Sequence, residues 1–336
     1  MSEFHAVDSL DDAFDKTKNL LFKPFKLSLW VKLAIVVIIT GSSLVSSNFN
    51  LREGGELNFD IAQYVLIIVA LLILFIIILV VIEFLSSVFN FVFIESVLEK
   101  KVEIRNGFKR NIRRGFSLFL FKLTVLAIFI GIIVLGVLAA LLIVDRNISA
   151  ISMLIIMITG FLTFLGIVLI FLLINLLTTD FVLPIMYLKN RGIVSGWIYL
   201  KDLIKSNLSQ FIVYILIKFF LGIVASIVIL IISLIVYLPV IFLIIVMVVF
   251  FGVYANINTL DILSTVSTPL IILIFIVGII VFFGLTYLIT FITLPIPVFF
   301  RYYSIVFLNR IDPGQDMLKP ENRDVRGNVE ENLSIY

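Results

Sequence analysis

The stretch "INLLTTDFVLPIMYLKNRG", residues 174–192, closes a long apolar run with an acid, a proline and two basic residues. A carboxylate facing lipid is costly, so the depth of Asp180 decides how the run is read. The run begins near residue 148, which puts Asp180 about 32 residues along it, roughly 48 Å if helical. A hydrocarbon core is about 30 Å thick, so Asp180 is expected at or beyond one membrane face. By the same measure Glu83 lies roughly 33 Å and Glu95 roughly 51 Å along an earlier run. Pro184 cannot donate to the carbonyl of Asp180, which predicts a helix break there, with the carboxylate free to cap the next helix.

Of 336 residues, 62% are hydrophobic and only 14% charged, and the mean hydropathy is +1.24. That leaves too little polar surface for a water-soluble fold and predicts an all-α polytopic membrane protein. The apolar runs cover roughly 27–47, 61–98, 116–144, 148–188, 208–254 and 269–308. The charged stretch before the first run carries no small-residue cleavage site, so a retained N-terminus is expected.

The absence of cysteine excludes disulfides, thiolate metal sites and cysteine nucleophiles. His5 is the sole histidine, which leaves no cluster for zinc or haem and no Ser/His/Asp triad. No phosphate loop, dinucleotide fingerprint or hydrolase elbow is present. The expectation is a protein without a cofactor, and not an enzyme. A net charge of +3 is too small to argue for nucleic acid.

The basic residues report orientation. Residues 1–26 carry four Lys and Arg, 96–115 seven, 189–207 four and 301–336 five, 20 in all; the alternate segments carry only Arg52 and Arg146. Six spans in the cell membrane with both termini cytoplasmic fit that partition. The run 208–254 reads as one long helix broken near Pro239, since a seventh span would put the basic C-terminal tail outside.

A basic, amphipathic stretch precedes each odd-numbered span: "AFDKTKNLLFKPFKLSLWVKLAIV", "GFKRNIRRGFSLFLFKLTVLAI" and "WIYLKDLIKSNLSQFIVYILIKFF". In the second, Ile104, Phe108 and Ile112 recur four apart; in the third, Ile193, Trp197, Leu200 and Ile204 repeat at helical spacings of four, three and four. This predicts interfacial helices, with Lys109, Arg110, Arg113, Arg114, Lys201 and Lys205 as lipid-headgroup contacts. The even spans correspond at "NFVFIESVL", "NLLTTDFVLPI" and "TYLITFITLPI", matching Glu95 to Asp180 and to Phe291. Six transmembrane helices as three repeated hairpins follow, each led by an amphipathic cytoplasmic helix. The domains read as a cytoplasmic amphipathic segment at 1–26, a membrane domain at 27–308 with repeats at about 13–98, 107–188 and 197–308, and a disordered cytoplasmic tail at 309–336.

Two readings of the acids stay open. Asp180 ends a helix as a cap or salt-bridge partner, or it joins Glu83, Asn90, Glu95 and Asn175 in a cytoplasm-facing polar cluster for a cation, proton or headgroup. Lys32, Lys122 and Lys218, one near the start of each odd span, read as snorkelling to the headgroups. Gly136 with Ala140 and Gly222 with Ser226 are candidate helix-packing pairs.

With their basic lead-ins, "DFVLPIMYLKNRG" and "FITLPIPVFFRYY" make the chain, over roughly residues 10–310, resemble a broad group of prokaryotic six-helix membrane proteins. These are related to the membrane domain of glycerophosphodiester phosphodiesterases. The resemblance supplies no catalytic residues, because the chemistry of those enzymes resides in an appended soluble domain and the tail after Arg310 is too short to be one. The function expected from the sequence as a whole is non-enzymatic transport or organisation of lipids or a small polar solute, with scaffolding of other membrane proteins as the alternative and an intramembrane enzyme third. The partners implied are membrane lipids, anionic ones among them, or another membrane protein. Oligomeric state is not specified by the sequence.

Overall fold

A computed structural model describes residues 5–41, 61–143, 149–254 and 268–312. The expected turns at 48–60, 145–147 and 255–267, with Arg52 and Arg146, and the tail after Asp312 lie outside the described residues. Everything described is helical apart from short connections. In hydrocarbon a backbone must satisfy its own hydrogen bonds, and runs of Leu, Ile, Val and Phe without internal caps do so as helices.

The helices are α1 (His5–Leu21), α2 (Leu27–Thr40), α3 (Ile61–Glu99), α4 (Ile104–Ile143), α5 (Ala150–Leu177), α6 (Leu183–Leu188), α7 (Ile193–Ser206), α8 (Leu208–Tyr254), α9 (Thr268–Ile292) and α10 (Pro295–Ile311). Among the described residues, five segments are long and apolar enough to cross a membrane: Ile68–Glu99, Ile104–Ala139, Ile151–Leu188, Leu208–Met247 and Leu273–Ile292. Of the first expected span, 27–47, residues 42–47 lie outside the described residues. Its described helix, α2, has 14 residues, roughly 21 Å. It closes on Gly41, whose φ of 69° is the left-handed conformation glycine takes at a helix C-terminus, with its N–H donating to Ile38 O.

Three further expectations are corrected. The run 208–254 is the single 47-residue helix α8, with Pro239 inside it and no break. One missing hydrogen bond does not end a helix whose flanking N–H groups have no alternative partner in lipid. The chain does not break at Pro184 either: α5 passes through one π turn, Thr178–Val182, into α6. There Leu183 N–H donates to Thr178 O, five residues back. The wider turn accommodates the proline ring that would clash with the Asp180 carbonyl. The corresponding proline of the last span, Pro295, does follow a break, since α9 ends at Ile292.

The third correction concerns the lead-in helices. The first and third are the separate helices α1 and α7, whereas residues 104–114 are the opening turns of α4 and run straight into its span. Their fully buried face is Gly107, Asn111, Gly115 and Leu118; of the apolar set, Ile104 and Phe108 are half-buried at its edge and pack on the core, while Ile112 is 42% exposed. The sequence has no stop near Gly115 because that glycine lies against α3: a Cβ there would come within 2.6 Å of Val88 Cα.

The buried core lies at one end of the molecule. On α3, residues 86–98 are buried while 68–82 are exposed apolar surface, and the far stretches of α4, α5, α8 and α9 are exposed in the same way. The polar connections gather at the packed end. Tyr302 Oη donates to Val97 O at 2.7 Å, Arg114 Nη2 to Asn190 Oδ1 at 2.7 Å, and Arg310 pairs with Asp12 at 2.7 Å. Small residues of α1, Ala6, Ser9, Ala13 and Thr17, form its buried stripe.

Gly136 and Gly222, expected to mark helix contacts, meet nothing within 4 Å, while Gly107, Gly115 and Gly196 do. Gly115→Ala should therefore destabilise the protein by about 1–3 kcal/mol, the usual cost of overpacking, with backbone as the obstructing atom. Gly136→Ala should leave the thermal midpoint in detergent unchanged or raised, and equal midpoints for the two variants would contradict the close α3–α4 approach.

Candidate functional site

The ends of the even spans meet in a buried polar centre. α3 brings Asn90 and Phe93, the π turn brings Thr179 and Asp180, α8 brings Tyr214 and Lys218, and α10 brings Arg301 and Tyr303. Asp180, Asn90 and Arg301 are each only 5% exposed. Asp180 Oδ2 accepts from Lys218 Nζ and, at 3.0 Å, from Tyr214 Oη. Arg301 donates through Nη1 to Thr179 O at 2.8 Å and through Nη2 to Asn90 Oδ1 at 3.4 Å, with its guanidinium 5.4 Å over the Phe93 ring. Tyr214 and Tyr303 stack at 4.7 Å.

The centre holds two cations and one carboxylate. Arg301 Nε and Tyr303 Oη are buried without a hydrogen-bond partner among the described residues. Unmet buried donors beside surplus positive charge favour an anionic or carbonyl group over a cation.

Asp180 is therefore a salt-bridge partner, and its carboxylate caps no helix: α6 has no side-chain cap. The other predicted acids lie elsewhere, each with its own cation. Glu95, 4% exposed, pairs with Arg110 and accepts from Asn111 Nδ2 at 2.5 Å. Glu83 pairs with Lys122 at 2.8 Å across α3 and α4. Asn175 Nδ2 donates to Phe171 O of its own helix, outside the centre. The five predicted residues thus fall into separate places, with Asn90 and Asp180 joined through Arg301 and its neighbours.

Lys122 and Lys218 do not snorkel; both meet carboxylates. Of the six predicted headgroup contacts, Arg110 is engaged by Glu95 and Arg114 by Asn190 and Asn111. Lys109, Arg113, Lys201 and Lys205 are exposed.

Sequence reasoning missed Arg301, which it counted among the tail cations. The available signal was its setting in "LPIPVFFRYYS", an arginine inside an apolar stretch. A second missed contact closes the same end: Asp312 accepts from Lys189 Nζ at 2.7 Å and from Tyr199 Oη. Burial by itself raises the Asp312 pKa, but the hydrogen bonds from Lys189 and Tyr199 outweigh it and hold the carboxyl below its ordinary 3.8. Burial, with the bond to Asp312, raises the Tyr199 hydroxyl.

The exposed apolar legs and the packed polar end define a multi-pass integral membrane protein. The chain belongs to a family of unknown function, DUF7544, which matches residues 4–318. There is no significant match among the curated proteins or the solved structures.

Two outcomes follow from this geometry. Asp180→Leu leaves Lys218 and Tyr214 unpaired and should cost about 2–4 kcal/mol, somewhat below the usual cost of breaking a fully buried pair because Lys218 keeps contact with solvent. Adding Lys218→Met should recover part of that loss, and a double variant that unfolds earlier than the single would argue against the pair. The Asp312 contact has a depressed folded pKa, so its stabilisation is complete above about pH 4 and is lost as pH falls through the folded value. Protection factors in the last turn of α10 should drop only in that acid window, and Asp312→Asn should abolish the drop.

Proposed function

We propose that this protein is a non-enzymatic, six-span protein of the cell membrane, with both termini cytoplasmic, that binds and organises lipids at the cytoplasmic face. In this reading five described helices span and the run that opens with α2 is the sixth; its partner is α3, since the start of α2 shares a cleft with the α3–α4 turn and Ser86 Oγ donates to Thr40 O at 3.1 Å near the end of α2. α3 begins 25 residues before Ser86, roughly 38 Å farther along its axis. The 20-to-2 partition of basic residues supports placing the packed end in the cytoplasm.

The observation that carries the lipid reading is how charge is divided at that end. The buried acids are each met by an internal cation, while Lys26, Lys32, Lys100, Lys109, Arg113, Lys201 and Lys205 stay exposed next to the apolar legs. Cations at that height attract anionic headgroups, each contributing about 1 kcal/mol near a charged surface. A small-solute transporter would instead draw its acids into one cavity at a hairpin interface, and Glu83, Glu95 and Asp180 are held apart.

A cysteine at Ser195 should label only from the cytoplasm and one at Ser149 only from outside; the reverse for either position would sink the topology. In vesicles the protein should associate preferentially with anionic over zwitterionic lipid, and the preference should shrink as salt rises from 50 to about 500 mM. Equal association with both lipids at low salt would remove the lipid reading.

A further inference from the structure

A cleft of about 670 Å³ opens where the start of α2 faces the α3–α4 turn, a volume typical of small-ligand sites. Lys26, Lys32, Lys100, Lys101 and Arg105 line it, with Glu103 as the one acid. Glu103 is paired with Lys101. The other four cations form no direct ion pair among the described residues, although Lys32 also lies within reach of the Glu103 charge, so with one acid against five bases the cleft keeps a surplus of positive charge where sequence-distant segments meet. Mutual repulsion disfavours such a gathering unless an anion enters.

Position separates a lipid from a soluble anion. Leu27, Val31 and Ile35, four residues apart, form an exposed apolar strip, 59%, 37% and 36% exposed, that starts at the cleft and runs up α2. A molecule with its charged end among the lysines has an apolar surface leading from it into the bilayer. The turn itself places a lysine where glycine or asparagine would sit more easily, because Lys100 has φ 54°.

We propose that this cleft is a specific site for a phospholipid headgroup bearing two phosphates, with one acyl chain lying along Leu27, Val31 and Ile35. Five bases against the single acid Glu103 leave a surplus that exceeds what one monoanionic phosphate can neutralise and suits two phosphates held side by side. The site rests on the reading of the protein as a lipid-binding membrane protein and names the lipid class that reading leaves open.

The test measures lipid retention by native mass spectrometry on the full-length protein in mixed micelles. The micelles contain phosphatidylcholine and either cardiolipin, which carries two phosphates, or phosphatidylglycerol, which carries one. Wild type should retain cardiolipin roughly tenfold better at equal total phosphate. Lys100→Gly with Arg105→Gln should cut cardiolipin retention on the order of 25-fold, about fivefold per cation, and lower phosphatidylglycerol retention much less. Glycine accepts the Lys100 backbone, so the variant should keep its thermal midpoint. Lys201→Gln with Lys205→Gln should leave the cardiolipin-to-phosphatidylglycerol ratio unchanged.

If the cleft variant keeps the wild-type ratio, the site is overturned while the general lipid reading stands. If wild type shows no anionic preference at all, both fall. Displacement of cardiolipin by an equal concentration of inorganic pyrophosphate would overturn the lipid assignment in favour of a soluble diphosphate.

Discussion

A carboxylate buried at the end of a membrane bundle has to find its counter-charge in the protein, and the way Asp180 does so fixes where the other span ends lie. Its cation and one hydroxyl donor come from α8. The carbonyl next to it, Thr179 O, holds Arg301 of α10, which in turn reaches Asn90 of α3. Removing either partner leaves a charge in a medium where an unpaired ion costs several kcal/mol. An arginine suits the junction because its planar fork aims two donors at separate acceptors on separate helices, which an ammonium on a flexible stem does less well. The four elements are thereby registered on one another before any apolar contact is considered.

That registration matters because the legs cannot supply it. Lipid tails are as apolar as leucine, so exposed stretches such as 68–82 of α3 gain little from associating with one another. Cohesion comes from the packed end, and there backbone approach is limited by side-chain size. Gly115 against Val88 lets α4 meet α3 at a distance that a methyl group would prevent, and Gly196 against Val182 lets α7 approach the π turn closely enough that a methyl group would crowd the valine side chain. The π turn belongs to the same economy of space: the widened backbone that tolerates Pro184 also contains Asp180 and Thr179, the two groups that bind Lys218 and Arg301.

What the sequence revealed and what it concealed divide along a physical line. Long apolar runs, and acids placed beyond a membrane's thickness, depend only on distance along a helix, which residue counting measures. Five spans and the position of Asp180 at the packed end were legible for that reason. Rotation about the helix axis is a different quantity. A uniformly apolar helix carries no periodic signal to report it, so the partners of Lys122, Lys218 and Arg301 were out of reach. In 104–118 the period was visible but offset by one residue, because the fully buried face is built from Gly107, Asn111 and Gly115, which no hydrophobicity pattern marks as interior, with Ile104 and Phe108 half-buried beside it. The length of α2 was hidden too, since the apolar run continues past Gly41 while the described helix stops there.

The same distinction bears on what a count of basic residues means. Of the seven cations between 96 and 115, Arg110 and Arg114 are committed to Glu95 and to Asn190, and Lys101 to Glu103. Arg110 and Lys101 brace the α3–α4 turn, and Arg114 ties α4 to the α6–α7 connection. The remaining four, Lys100, Arg105, Lys109 and Arg113, are exposed, and two of them join Lys26 and Lys32 from a different part of the chain in one cleft. Structural pairing therefore reduces the charge available to the membrane surface but concentrates part of what is left, and concentration of charge next to an apolar strip is what separates a site for one lipid class from a general attraction to anionic bilayers.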